Sequence, residues 1–286
     1  MKRPSTPHEA RGITRRAAIE TLGAGALLGF GLWPGALRAA GSISPAATFT
    51  FAVINDTHYM SPECGVWLEQ VVAQIKAEAP HFCLHLGDLV EQGRPDHLST
   101  VRDLFAGLGK PVHVQIGNHD YLTQTDRTAY EAIFPGPLNY TFTYRDWQFV
   151  GVDSTDGLLF DQTSISDATL HWVDENLPQL DRTRPLVLFT HFPLGEGVRH
   201  RPVNADALLD RFRDHNLQAV FNGHFHGYTE HHFADATLTT NRCCALKRDN
   251  HDGTKAKGFF ICTARDGRIT RRFVEVTPPA PVQSGA

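Results

Sequence analysis

The sequence predicts an α/β protein in which two mixed β-sheets pack face to face between layers of helices. In the first half of the chain, short β-branched and aromatic runs alternate with amphipathic segments of helical period, which favours parallel strands joined by helices. The second half consists mostly of short strand-like runs, some of them paired by tight turns. Two packed sheets with helices outside account for this mixture, a four-layer α/β/β/α sandwich.

The first half follows a β-α-β-α-β order. Thr48–Asn55 is β-branched and aromatic, which indicates a buried strand. Apolar residues recur at helical spacing in Gly65–Ala79, and Pro80 ends that helix. The elements predicted next are a strand at Phe82–Leu86, a helix at Asp96–Leu108 and a strand at Val112–Ile116.

In the second half, antiparallel pairing becomes more frequent. Asn139–Tyr144 and Trp147–Val152 are predicted to pair across a turn, and Asp266-Gly267 supplies a tight hairpin turn near the end. The remaining predicted strands are Leu186–Thr190, Ala219–Asn222, Thr229–Phe233, Thr237–Arg242, Gly258–Ala264 and Arg268–Val276. Helices are predicted at Ala168–Leu177, capped by Ser166 or Asp167, and at Ala205–His215.

Residues 1–40 have the composition of an export signal. A basic stretch is followed by an apolar run, Leu22–Leu37, that is short for a membrane span of about 20 residues. Thr14–Ile19 (TRRAAI) resembles a twin-arginine signal, although Ala18 and Glu20 stand where that pattern usually has Phe and Lys. The resemblance implies recognition by the twin-arginine translocation machinery and a periplasmic or otherwise exported protein. Cleavage near residue 40 and an uncleaved membrane anchor both remain open.

The remaining chain is expected to comprise a globular domain at residues 41–276 and a disordered tail at 277–286. Residues 1–40 carry six basic and two acidic side chains, which leaves 21 basic and 29 acidic ones and a net charge of −8. A domain with this negative net charge has no electrostatic reason to bind nucleic acid, and we expect membrane contact only through an uncleaved signal. The five cysteines lack zinc-type spacing, and one disulfide remains open.

Five short motifs carry potential metal ligands, and most of them directly follow a strand-like run. In open α/β sheets ligands bind outside the carboxyl ends of the strands, so motifs distant in sequence can converge there. The motifs are Asp56-Thr57-His58, Gly87-Asp88, Gly117-Asn118-His119-Asp120, Thr190-His191 and Gly223-His224-Phe225-His226.

The residue types in these motifs suit a pair of transition-metal ions. Alternate side chains of an extended segment share a face, so Asp56 and His58 can approach one ion together. A carboxylate has two oxygens, which makes Asp88 the natural bridge between ions about 3.5–4 Å apart. Nitrogen and oxygen ligands without thiolate favour Zn, Mn, Fe or Co over Ca or Mg.

Together and in this order, the motifs resemble those of the calcineurin-like metallophosphoesterases, a superfamily that includes purple acid phosphatases and cyclic-nucleotide phosphodiesterases. The resemblance runs from about Phe51 to His226. It implies His119 as the catalytic histidine and Asp120 as the carboxylate that orients it. Glu91 stands where the purple enzymes have a ligating Tyr, so no tyrosinate–iron centre is expected. The resemblance implies Asp56, His58 and His226 as ligands of one ion, Asn118, His191 and His224 as ligands of the other, and Asp88 as the shared ligand.

These observations predict an exported phosphohydrolase with two divalent or trivalent ions (Mn, Fe or Zn) that cleaves a phosphomonoester or phosphodiester. The expected mechanism is attack by a metal-bound hydroxide, with proton donation by His119 to the leaving oxygen. The alternative is a non-catalytic exported metal-binding protein of the same fold. Asp153 is interpreted either as a turn cap or as a group that orients a ligand, and Arg199–Arg201 as a solvated loop or a substrate contact.

Overall fold

The computed structural model describes residues 48–278. The predicted export signal at residues 1–40 and most of the predicted tail at 277–286 therefore lie outside the described residues. The strands are β1 (Phe49–Ile54), β2 (Cys83–His85), β3 (Val112–Val114), β4 (Tyr140–Tyr144), β5 (Trp147–Gly151), β6 (Leu186–Phe189), β7 (Leu217–Asn222), β8 (Thr229–Phe233), β9 (Ala236–Thr240), β10 (Gly258–Arg265) and β11 (Arg268–Glu275). The helices are α1 (Pro62–Ala77), α2 (Pro95–Ala106), α3 (Thr128–Ile133), α4 (Asp167–Asn176) and α5 (Ala205–Arg211), with 3₁₀ turns at Asn118–Asp120 and Leu177–Gln179.

Both sheets are mixed. The first has the order β11-β10-β1-β2-β3, with β1, β2 and β3 parallel and β10 and β11 antiparallel. The second has the order β4-β5-β6-β7-β9-β8, with four parallel strands at its centre and antiparallel strands at both edges. The predicted fold class is confirmed.

Side-chain alternation along the strands builds the layers. In β1, Phe51 and Val53 face the second sheet, whereas Ala52 and Ile54 pack against α1 and α2. In β6, Val187 belongs to the central layer and Leu188 to the layer beneath α4 and α5. The central layer is rich in phenylalanine, whose large buried rings pack the two sheets against each other beneath the loops at their carboxyl ends.

Two helices differ from the sequence-based expectation. The predicted helix Ala205–His215 ends at Arg211, because Phe212, Arg213 and His215 continue the chain through i→i+3 backbone bonds. Helix α3 was not predicted, since its six residues are too few to show a helical period, and its Tyr130 is held by packing in the core. Ser166 caps α4 as predicted, its Oγ accepting a hydrogen bond from Thr169 N at 3.1 Å.

All five cysteines are buried and free, so no disulfide links the described part of the chain. Among residues 48–278, none of the helices is both long and apolar enough to cross a lipid bilayer.

Candidate metal centre

The predicted motifs come together where the parallel strands of both sheets end. Asp56 follows β1 and its N–H donates to Gly87 O at 3.0 Å, which joins the first motif to the second. In the other sheet, Gly223 follows β7 and its N–H donates to His191 O at 2.9 Å. The packing of one sheet on the other therefore brings the strand ends, and their loops, to one edge.

One group of side chains gathers around Asp56, His58 and His226. His58 Nε2 lies 3.1 Å from His226 Nε2, and His226 Nε2 lies 3.4 Å from Asp56 Oδ1. Asp88 Oδ2 approaches His58 Nε2 at 3.5 Å. All four side chains are buried, and the ligand atoms they offer lie within 4.8 Å of one another.

A second group gathers on the other side of Asp88. His191 Nε2 lies 3.4 Å from Asp88 Oδ1, 3.2 Å from Asn118 Oδ1 and 3.2 Å from His224 Nδ1. Asp88 thus faces one group with one carboxylate oxygen and the other group with the second. All seven side chains predicted as ligands are brought together in two adjacent groups.

The donor sets fit transition-metal ions. A nitrogen or oxygen ligand lies about 2.0–2.2 Å from zinc, so ligand atoms around one tetrahedral ion are spaced by roughly 3.4 Å. The spacings within both groups, 3.1–3.5 Å, match that value. Two imidazole nitrogens facing each other at 3.1 Å share at most one proton, whereas both could bind a single cation. Each group could hold a metal ion, and Asp88 could serve both.

The backbone at these positions is strained. Five of the seven candidate ligands adopt positive φ although none is glycine, with values from 41° to 65°: Asp56, His58, Asp88, His224 and His226. Such conformations cost of order 1–3 kcal/mol each and persist only where the surroundings enforce them, commonly at functional sites. The loops therefore orient these side chains toward the centre at a cost in local stability.

Close backbone approach explains two motif glycines. A Cβ on Gly117 would lie 2.2 Å from Asp88 Oδ1, and a Cβ on Gly223 would lie 2.7 Å from Asp56 Oδ2. No side chain fits at these distances, so the glycines allow the two carboxylates to reach the centre.

Neighbouring charges set the protonation of the Asp–His pairs. Burial raises the pKa of Asp56 and of Asp88, but the facing imidazoles of His226 and His191 outweigh it and hold both values well below the usual range. Burial lowers the pKa of His226 and His191, yet the same carboxylates raise these values to about 10 and about 9. Each group of ligands therefore holds one positively charged imidazolium paired with a carboxylate. A bound metal cation could take the place of the proton on that imidazolium.

At the other two candidate histidine ligands, the effect of burial on the pKa outweighs that of the neighbouring charges. It lowers the pKa of His58 to about 4 and that of His224 to about 3, so both are neutral near pH 7. Neutral imidazole is the form that binds metal. His224 Nε2 donates to Phe160 O at 2.8 Å, which leaves Nδ1 as the acceptor facing His191.

His119 lies beside the two groups, as predicted, but Asp120 does not contact its ring. The Asp120 carboxylate accepts hydrogen bonds from Gly117 N at 2.8 Å and Val90 N at 3.2 Å, so it fixes the loop that carries His119. The His119 ring is oriented instead by Glu91 O, which accepts from Nδ1 at 2.9 Å. This leaves Nε2 as the ring nitrogen available to a ligand in the cavity that His119 lines.

Sequence reasoning noted Glu91 only as a departure from a ligating Tyr, and it did not place Arg248 near the centre. The Glu91 carboxylate lies 3.2 Å from His58 Nδ1 and forms a two-point ion pair with Arg248, whose Nη2 is 3.5 Å from His119 Nε2. Glu91 follows Asp88 by three residues, so its place near the centre could have been inferred. Arg248 lies beyond the last motif, and no sequence signal marks it.

The centre opens into a cavity of about 310 Å³. Its lining includes Phe160, which is 60% exposed, and His200, whose ring centroid lies 5.7 Å from that of Phe160. Of the Arg199–Arg201 loop, His200 lines the cavity, whereas Arg201 pairs with Asp206.

Asp153 acts as a turn cap. Its Oδ1 accepts from Thr155 N at 2.9 Å, and its Oδ2 pairs with Arg127 at 3.2 Å. Of the two interpretations of this residue, the structure shows the cap.

This fold and a buried Asp/His centre at its strand ends define the class of metal-dependent phosphoesterases. The family model of calcineurin-like phosphoesterases matches residues 49–228, and the chain belongs to that family. It is therefore a metal-dependent hydrolase of phosphate esters.

Similar proteins agree with this assignment. A probable cyclic nucleotide phosphodiesterase of Rhodopseudomonas palustris is 27% identical over 62% of this chain and 71% of that protein. The glycerophosphodiester phosphodiesterase GpdQ of Enterobacter lignolyticus is 26% identical over 66% of this chain and 75% of its own length. The crystal structure of a dimetal phosphatase from Danio rerio shares the fold, with a TM-score of 0.62 and 17% identity over 82% of this chain and 100% of that one.

Proposed function

We propose that the protein is a dinuclear hydrolase of phosphate esters. In this proposal Asp56, His58 and His226 hold one ion, Asn118, His191 and His224 hold the other, and Asp88 serves both. The observation that carries it is the placement of Asp88, whose two oxygens face different groups at 3.5 and 3.4 Å. We propose divalent or trivalent Mn, Fe or Zn, because the donors are imidazoles, carboxylates and one amide without thiolate.

The names of the two relatives favour a phosphodiester as the substrate, and a phosphomonoester is the second candidate. When bound, a pair of such cations lowers the pKa of water toward about 7 and offsets the charge on the phosphoryl oxygens. The protein supplies the leaving-group proton: His119, oriented through Nδ1 by Glu91 O, donates from Nε2 to the departing ester oxygen.

The test is hydrolysis after Mn²⁺ or Zn²⁺ loading. Wild-type protein should cleave p-nitrophenyl phosphate or its bis ester, and His119→Ala should retain its metals. General-acid catalysis contributes about 10²–10⁴ in rate, and His119→Ala should lose that much on an ester of an alkyl alcohol. The loss should be smaller on the p-nitrophenyl ester, because nitrophenolate leaves without a proton.

A matched control is His171→Ala, an exposed histidine of α4 that pairs with Glu175. It should behave as wild type. Loss of both metals in His119→Ala would show that this residue is a ligand rather than the acid. Absence of turnover in a folded, two-metal wild-type sample, on all esters between pH 5 and 9, would refute the proposed function.

We further propose that residues 1–40 direct export by the twin-arginine route, with the catalytic domain starting near residue 41. The support is the basic stretch with Arg15 and Arg16 followed by the apolar run Leu22–Leu37. Replacing both arginines by lysine should retain the protein in the cytoplasmic fraction of a host with this pathway. Unchanged export of that variant would contradict the route.

A further inference from the structure

Arg248 stands at the edge of the metal centre without being one of its candidate ligands. It lies in the irregular segment between β9 and β10, and its side chain, 32% exposed, lines the cavity together with Asp88, Asn118 and His119. Exposed arginines on a protein surface are usually mobile. This one is held at the cavity by contacts on both its backbone and its side chain.

The backbone of the segment is fixed by buried polar groups. Lys257 is 6% exposed, and its ammonium donates to Arg248 O and lies 2.9 Å from Cys243 Sγ. Asn250 is 7% exposed and bridges the segment, accepting from Cys243 N at 3.1 Å and donating to Ala256 O at 2.8 Å. Arg248 is therefore presented from a preorganised loop.

The segment is also tied to the metal centre. Cys244 N donates to Asn55 O at 3.1 Å, one residue before Asp56. Trp67 of α1 donates from Nε1 to Cys244 O at 2.7 Å. Arg248 thus keeps a defined position relative to the candidate ligands.

The guanidinium uses only part of its hydrogen-bonding capacity. Nε donates to Glu91 Oε2 at 2.8 Å and Nη2 donates to Glu91 Oε1, which occupies one edge of the planar group. Arginine has five N–H donors in a rigid fork, and Nη1 has no hydrogen-bond partner within residues 48–278. The edge formed by Nη1 and Nη2 therefore remains for a ligand, and the second Nη2 hydrogen reaches His119 Nε2, 3.5 Å away, only when that nitrogen carries no proton.

We propose that Arg248 binds a non-bridging oxygen of the substrate's phosphoryl group with this Nη1/Nη2 edge, while Glu91 holds the adjacent Nε/Nη2 edge. The inference rests on the proposed function. Nη2 lies 3.5 Å from Nε2 of His119, the atom assigned to protonate the leaving oxygen, so a phosphoryl group next to His119 is within reach of Arg248. A guanidinium forms two parallel hydrogen bonds to phosphate, which an ammonium cannot match.

The competing explanation is a purely structural ion pair that holds Glu91 against His58 Nδ1. The two explanations differ in what a substitution changes. A structural pair would alter metal content or stability. A phosphate-binding residue would alter affinity for phosphate and leave the metals in place.

The experiment measures binding of inorganic phosphate to metal-loaded protein by calorimetry, together with KM and kcat for a phosphate ester and metal stoichiometry. Arg248→Ala should bind phosphate about 10- to 100-fold more weakly, the usual loss for a charge-assisted hydrogen bond, with two metals retained. KM should rise accordingly. Lys247→Ala is the matched control, because Lys247 is the adjacent cation but pairs with exposed Glu63 outside the cavity. It should bind phosphate as wild type does.

Arg248→Lys provides a second variant if the alanine protein folds poorly. It keeps the charge but cannot hold Glu91 and phosphate with separate edges, so its phosphate affinity should fall about tenfold. Phosphate affinity within about twofold of wild type in either folded variant, or loss of metal from both, would overturn the assignment. A wild-type protein that neither binds phosphate nor turns over would instead overturn the proposed function, and this inference with it.

Discussion

Replacing Gly117 by alanine tests whether the distance between two loops sets the position of Asp88. The added Cβ would lie 2.2 Å from both Asp88 N and Asp88 Oδ1, whereas ordinary contacts begin near 3.4 Å. The two loops would have to separate by about 1 Å. Gly117 has φ −109° and ψ 171°, an extended conformation that alanine adopts freely, so the steric contact is the only perturbation.

Such overpacking typically costs about 1–3 kcal/mol, and each kcal/mol lowers the Tm of a domain of this size by roughly 2–4 °C. The effect on function should be larger. A displacement of about 1 Å at a catalytic centre can cost about 10²-fold in rate, and the same shift should weaken metal binding. Thermal unfolding, metal stoichiometry and kcat for p-nitrophenyl phosphate measure the three effects.

Gly65→Ala is the matched control. Gly65 lies inside α1, and a Cβ there would meet only Tyr59 Cε2, at an ordinary 3.5 Å. This variant should be as active as wild type and more stable by roughly 0.4–1 kcal/mol, because glycine costs more conformational entropy in a helix. If Gly117→Ala keeps two metals and a kcat within about twofold of wild type, the reasoning that close approach of these loops positions Asp88 is refuted.

Two further predictions concern the metals. Asp88→Asn removes the charge that faces both groups and replaces one oxygen by an amide NH₂. Affinity for both ions should therefore fall by more than the 10–100-fold that is typical when a residue contacting a metal ligand is replaced. Two ions at full occupancy, measured by elemental analysis, would contradict the shared role of Asp88. Metal binding should also depend on pH. In the metal-free protein the facing carboxylates raise the pKa of His191 to about 9 and that of His226 to about 10, so both imidazoles are protonated at pH 7. Both must lose a proton to bind metal. Affinity for Zn²⁺ should therefore rise from pH 7 to pH 9, and calorimetry in buffers of different ionisation heat should detect release of about two protons at pH 7; equal affinity at both pH values would contradict these protonation states.

Much of the fold was predictable, because strands and helices are encoded by local periodicity. The β-branched and aromatic composition of β1 and the apolar spacing in α1 led to elements whose observed ends differ from the predicted ones by a few residues. Errors occurred where local signals are weak. Helix α3 is too short to show a period, and α5 stops four residues before its expected end because the chain tightens into i→i+3 turns.

The candidate site, like the fold, was predictable from the sequence only in part. Its seven potential ligands were recognisable because most of the motifs stand directly after an apolar, strand-like run. Their grouping around Asp88 is visible only in three dimensions. Asp120 shows the limit of motif reasoning, because adjacency to His119 suggested a contact that the loop geometry directs elsewhere.

The amino-acid sequence by itself determined the order of the elements, the class of chemistry and the ligand types, since these follow from side-chain identity and short-range spacing. Only the tertiary structure decided which oxygen of Asp88 faces which histidine, that Glu91 O orients His119, and that Arg248 reaches the cavity from a segment more than 120 residues beyond His119. The physical reason is that these contacts join residues distant in the chain. Their distances are set by the packing of two sheets, which no local pattern records.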